Sequence, residues 1–188
     1  MELQFLRAHA FQLIDDYAPE RDHTLNNLAG SFLYVNTLNS LPNHKAQMRS
    51  SRYIPTAGCR IRFYYYINSA TNAGQLTFMT RTESAGKTTI VWSTSKVLGD
   101  YWERQEVLLP TGIMSELVVE VKSLADGGGG FIALDDISFS PQCNNSNGFL
   151  PYGTTPASNG TITTPGACTY WCKDGTCIGQ EKVRILIY

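Results

Sequence analysis

The stretch Cys59-Arg60-Ile61-Arg62-Phe63-Tyr64-Tyr65-Tyr66-Ile67 decides the architecture of this chain. Cys59, Ile61, Phe63, Tyr65 and Ile67 fall on one side of an extended backbone, and Arg60, Arg62, Tyr64 and Tyr66 on the other. That period of two marks a strand with one buried face. Shorter runs of the same kind lie on either side: Ser31-Phe32-Leu33-Tyr34-Val35 after Gly30, then Leu76 to Arg81, Thr88 to Ser93, Gln105 to Leu109, Leu117 to Lys122 and Phe131 to Ser140. Asn72-Ala73-Gly74, Ser84-Ala85-Gly86, Leu98-Gly99-Asp100 and Pro110-Thr111-Gly112 supply reversals between them. Strands at this spacing predict an all-β sandwich of antiparallel sheets. Leu3 to Tyr17 reads as a short helix or as irregular chain.

Composition agrees. The chain of 188 residues holds 10 Tyr, 8 Phe and 3 Trp, types that suit pleated, half-buried surfaces, with 16 Gly and 8 Pro as punctuation. Fifteen basic against 16 acidic residues leave no single-sign field to draw the chain to nucleic acid or to an anionic membrane. No apolar run of about 18 residues exists to insert into a bilayer. Met1 to His9 lacks the apolar core of a secretory signal. Two sequons, Asn144-Asn145-Ser146 and Asn159-Gly160-Thr161, and clustered cysteines nevertheless suit an extracellular setting.

The chain divides by composition. Residues 1–10 carry no clear signal and 11–143 carry the strand pattern. Residues 144–167 are a Ser/Thr/Asn/Gly linker holding both candidate glycosylation sites, Asn144 and Asn159. Residues 168–188 crowd Cys168, Cys172 and Cys177 together. Zinc is a weak reading of those three, because no fourth ligand lies near and every histidine stands at position 44 or before.

Asp22-His23-Thr24 with Gly30-Ser31-Phe32-Leu33-Tyr34-Val35, the Cys59 strand, Val91-Trp92-Ser93, Trp102-Glu103-Arg104 with Val107-Leu108-Leu109-Pro110, and Ile132-Ala133-Leu134-Asp135-Asp136-Ile137-Ser138-Phe139-Ser140-Pro141-Gln142-Cys143 occur in this order. Together they resemble MAM domains over residues 11–143. The resemblance implies a jelly-roll β-sandwich in an ectodomain, non-catalytic, serving adhesion, oligomerisation or partner binding. Protein partners are expected, homophilic ones among them, and glycan is a further candidate. Two other roles stay open: an accessory domain of a secreted or membrane metalloprotease, and a carbohydrate-binding jelly roll. The family pairs cysteines at the positions of Cys59 and Cys143. Its first strand and first disulfide have no counterpart here, so a truncated N-terminus and an unpaired neighbouring strand are expected. Tyr170-Trp171-Cys172-Lys173-Asp174-Gly175-Thr176-Cys177-Ile178 resembles the start of an LDL-receptor class A repeat. That resemblance implies a Cys168–Cys177 pair with Cys172 unpartnered, without the acidic half that binds calcium.

Asp135 is the most informative polar residue. Alternation puts it on one face with Phe131, Ala133, Ile137 and Phe139, where a carboxylate needs a cation, an Arg or several donors. Both a structural calcium ligand, shared with Asp22, and a carboxylate held by hydrogen-bond donors are consistent with the sequence. No other cofactor is implied. Asp136 reads as solvated. Enzyme motifs fail: Gly86-Lys87-Thr88 lacks the leading glycine of a phosphate loop, Gly127 to Gly130 reads as a flexible reversal, and His9, His23 and His44 have no paired nucleophile. Trp92 reads as core, Trp102 follows a turn, and the Tyr64–Tyr66 face is either covered or an exposed binding patch.

Overall fold

The computed structural model describes residues 3–82, 86–124 and 129–144, and the backbone of 170–173, 176–181 and 185–187. The strands are β1 (Leu6–His9), β2 (Ser31–Asn36), β3 (Lys45–Ser50), β4 (Ile54–Pro55), β5 (Arg60–Ser69), β6 (Gln75–Thr82), β7 (Thr88–Thr94), β8 (Glu103–Leu108), β9 (Ser115–Lys122), β10 (Gly130–Phe139), β11 (Cys143–Asn144), β12 (Tyr170–Lys173), β13 (Thr176–Glu181) and β14 (Ile185–Ile187). Sheet A runs β1-β2-β10-β5-β8 and sheet B runs β14-β3-β9-β6-β7. With the flanking β1 and β14 and the short β4 set aside, β2-β10-β5-β8 faces β3-β9-β6-β7, the order of a jelly roll, and the chain changes sheet at each step except the β6–β7 pair.

The period of two in β5 is what builds the core. Ile61, Phe63, Tyr65 and Ile67 are buried, and they meet Leu76 and Phe78 of β6 and Leu117, Val119 and Val121 of β9 across the gap between the sheets. Phe63 stacks on Phe78 with centroids 4.0 Å apart. Trp92 sets its edge against Phe63, Tyr65 and Phe78 at 5.2, 5.1 and 5.8 Å, so it is a packing residue. Cys59 and Cys143 are bonded, with Cα atoms 4.8 Å apart and sulfurs 2.08 Å apart, tying the residue before β5 to the first residue of β11.

Two expectations need correction. Leu3 to Tyr17 is neither a helix nor wholly irregular: Leu3 and Phe5 are in the core, β1 pairs with β2, and one 3-10 turn spans Ala10–Gln12. Beside β3, β14 pairs antiparallel and sets Ile187 opposite the buried Met48. Gly129 and Gly130 form no flexible reversal. A β-carbon on Gly130 would stand 2.1 Å from the carbonyl oxygen of Asn68, and one on Gly129 2.4 Å from that of Thr37. These glycines are sites of close backbone approach.

The remaining tail forms a β12–β13 hairpin with Cys172 opposite Cys177 in register. The expected Cys168–Cys177 pairing, the linker and the sequon at Asn159 lie outside the described residues, as does the side chain of Asn144.

Candidate functional site

The polar residues singled out by the sequence meet on the outer face of sheet A. This face is covered by the segment between β1 and β2. Phe32, Tyr66, Ala133 and Ala10 form a second small core there, closed by Leu13, Tyr34 and Trp102. Trp102 packs 5.6 Å from Phe32 and 5.5 Å from Tyr66, and its indole Nε1 donates to the carbonyl of Arg21 at 2.9 Å. Over Tyr64 and Tyr66 the outer face of β5 is therefore covered by the chain itself, while Arg60 and Arg62 on the same face stay partly exposed. Neither Trp92 nor Trp102 offers a free stacking platform.

The covering segment is held by carboxylates. Asp22 is almost wholly buried, at 1% exposure, and accepts from the backbone N–H of Leu25 at 2.8 Å and of Asn27 at 3.1 Å. Asn27 Oδ1 then accepts from the N–H groups of Ala29 and Gly30. Asn26 takes a left-handed φ of 51°, which lets the loop fold back on Asp22. The spacing of Asp22, Asn27 and Gly30 is a loop closed by side chain to backbone bonds.

A second clasp ties this loop to β10. The ladder between β10 and β5 shifts register between Asp135 and Ser138, and Asp136 sits at a left-handed φ of 51°. This bulge corrects the single-face reading of the strand. Before it, Phe131, Ala133 and Asp135 face outward under the covering segment, while after it Ile137 and Phe139 join the core between the sheets. Asp135 Oδ2 accepts from the backbone N–H of His23 at 2.9 Å and of Thr24 at 3.3 Å, and its Oδ1 from the N–H of Asp136 at 2.8 Å. Asp136 is engaged rather than solvated: it accepts from the Thr24 hydroxyl at 2.6 Å and from His23 Nδ1 at 2.8 Å. The His23 ring lies flat on Tyr64, centroids 3.3 Å apart.

Asp22 and Asp135 accept from different backbone groups, and no group of three His, Cys, Asp or Glu side chains suited to a metal ion occurs among the described residues. The cluster works as a clasp in which carboxylates satisfy N–H groups of an irregular loop. The Thr24 hydroxyl donates to Asp136. Sequence reasoning missed His23, Thr24 and Asp136, although Asp22-His23-Thr24 and Asp135-Asp136 stood in the quoted motifs.

Electrostatics gives the clasp a measurable signature. Burial, and then the charge of Asp136, push the Asp135 carboxyl above its ordinary value against the pull of the three N–H groups. A carboxyl that binds its proton more tightly when folded adds stability that is full below the unfolded pKa of about 3.9 and is lost as pH rises through the folded value. Asp135→Asn removes this titration. The stability of the wild type minus that of the variant is therefore expected to fall as pH rises from about 3.5 toward 6. Urea denaturation at several pH values measures it, and a difference that stays flat or rises refutes the assignment.

A second charged cluster lies on the same sheet near its β8 edge. Glu106 is met by Arg62 Nε at 2.9 Å, Arg104 Nη2 at 3.0 Å and Arg60 Nε at 3.5 Å. Desolvation pulls its carboxyl upward, but the Arg62 hydrogen bond and the charges of Arg62, Arg104 and Arg60 outweigh this and hold it below its usual value. The cross-strand register of β5 and β8 places all four on one face.

Residues 7–144 match the profile of a family described as MAM domain, meprin/A5/mu. Among curated proteins the chain is similar to thyroid hormone-induced protein B of Xenopus laevis, 31% identical over 171 residues, covering 88% of this chain and 23% of that protein. It is also similar to MAM domain-containing protein 2 of Homo sapiens, 32% identical over 133 residues, covering 69% of this chain and 19% of that protein. The chain thus spans under a quarter of the length of these relatives. Among solved structures, the K2 cleaved adhesin domain of Lys-gingipain superposes with a TM-score of 0.54 at 19% identity, covering 73% of this chain and 83% of that one. That likeness is one of fold.

Proposed function

We propose that this chain, which belongs to the MAM domain family, is a non-catalytic recognition and adhesion module of an extracellular, multidomain protein. Family membership and the sandwich fold support a binding role. The observation that carries the reading is the fate of the polar constellation: His23, Thr24, Asp135 and Asp136 all make hydrogen bonds that hold a loop to sheet A. What remains to act is surface, presented by two sheets stapled through Cys59 and Cys143. The buried disulfide and the two sequons support the extracellular setting. Cell-surface proteins are the partners proposed, including a second copy of the chain.

The chain carried through a secretory pathway and then coupled to beads tests this. The expected result is a glycosidase-sensitive mass on the secreted chain, and bead binding to cells that is lost after trypsin treatment of those cells. Aggregation of coated beads with one another would place the partner in a second copy. Bead binding no greater than that of reduced, unfolded chain would refute a recognition role, and secreted chain with no glycan would remove the sequons as support.

A further inference from the structure

The outer face of sheet B carries a cavity of about 200 Å3 beside the start of β9. Arg49, Arg52, Arg81, Thr82, Met114 and Glu116 line it. The register accounts for this convergence. Arg81 of β6 stands directly opposite Glu116 of β9, and Arg49 of β3 stands opposite Val118, on the same face of β9 as Glu116. The Tyr53–Ser115 bridge then carries the chain at Arg52 past the end of β9. Arg52 Nε lies 3.7 Å from Glu116 Oε1. Among the described residues, the side chains of Arg49 and Arg81 have neither an ion-pair nor a hydrogen-bond partner. The walls thus bring, among the described residues, the guanidinium groups of Arg49 and Arg81 beside the Arg52–Glu116 pair, in a chain whose net charge is −1. The other arginine cluster differs, since Arg60, Arg62 and Arg104 all close on Glu106.

We propose that this cavity binds an oxyanion, and that the oxyanion is a sulfate ester carried on a glycan. Guanidinium forks bind such groups through parallel N–H···O bonds, and several forks around one hollow suit a tetrahedral anion. The cavity is smaller than the roughly 300–1,000 Å3 of pockets that enclose a drug-sized ligand. It therefore admits a single charged group presented from outside. Thr82 adds a hydroxyl, and Met114 adds an apolar wall against which the C–H face of a sugar ring can rest. Oxyanion binding stands on the cavity alone, whereas the glycan as carrier rests on the extracellular recognition role proposed above.

Calorimetry and NMR titration of the whole chain with sodium sulfate, a sulfated hexasaccharide and its desulfated counterpart test the proposal. The sulfated sugar is expected to bind at least about tenfold tighter than the desulfated one. Arg49→Gln and Arg81→Gln should each weaken it roughly 10-fold to 100-fold, the range for losing a charged hydrogen bond. Glu116→Gln removes the competing carboxylate and should tighten it, a gain that a folding defect cannot mimic. Arg62→Gln, on the other sheet, should leave it unchanged. Absence of binding to either anion, or loss through Arg62→Gln in place of Arg81→Gln, overturns the site. Sulfate ion binding as tightly as the sulfated sugar, or an acidic peptide binding more tightly than either, overturns the glycan as carrier. Those last outcomes leave the recognition role standing, since the bead assay reads it separately.

Discussion

Removal of the Cys59–Cys143 bond is expected to lower the unfolding free energy by about 4–5 kcal/mol. The bond closes a loop of 84 residues that holds all of β5 to β10. Without it, the unfolded chain recovers the conformational freedom that this closure removes, while the native packing around Cys59 stays in place. Both cysteines are buried, at 0% and 7% exposure, so a Cys59→Ala/Cys143→Ala variant also loses a little packing. A total stability of about 5–15 kcal/mol is usual for a domain, so the reduced form is expected to be marginal near body temperature. Urea denaturation with and without reductant measures the effect. At a slope of about 1–3 kcal/mol/M the midpoint should fall by well over 1 M. A shift below about 0.5 M would show that the loop is constrained by something other than the bond.

The second large effect is expected at Gly30. A β-carbon built there lies 1.8 Å from Asp22 Cγ and 2.1 Å from both carboxylate oxygens. Asp22 is buried and cannot move aside without releasing the N–H groups of Leu25 and Asn27. Overpacking of about 1–3 kcal/mol adds to the loss of charged hydrogen bonds, so Gly30→Ala should cost about 3–5 kcal/mol. Gly58→Ala is the control. Its β-carbon meets nothing closer than 3.8 Å, and only a φ of 86° opposes it, for about 1–2 kcal/mol. Asp22→Ala combined with Gly30→Ala should cost clearly less than the two singly, because the clash is then gone. Additive costs in that cycle would remove Asp22 as the reason for the glycine.

The strands legible in the sequence were those whose buried face is made of large apolar residues. β5, β6 and β9 show because Phe63, Phe78 and Val119 and their neighbours two residues away must fill a thick gap between sheets. β3 was invisible for the opposite reason. Its buried positions are Ala46, Met48 and Ser50, and two of these three are too small or too polar to register as periodicity. The bulge in β10 was equally hidden. Alternation assumes an unbroken ladder, and Asp135-Asp136 reads as one inward and one outward carboxylate until the extra residue turns both toward His23 and Thr24. The sequence could say that Asp135 needed partners. It could not say that the partners were backbone N–H groups 111 and 112 residues away, because a loop's main chain leaves no mark in residue type.

The disulfide also divides the chain mechanically. Strands β1 to β4 lie before Cys59 and β5 to β10 lie inside the covalent loop. Tension applied along the chain from before Cys59 to beyond Cys143 passes from one sulfur to the other and bypasses the enclosed strands. Those 84 residues, roughly 280–300 Å of extended backbone, are withheld from any stretching while the bond lasts. The parts that yield first are the ones outside it: β1, β2, β3 and the loop that Asp22 and His23 clasp to the sheet. A module pulled between its neighbours would therefore lengthen by peeling its N-terminal strands, and the strands behind the staple would not be drawn out.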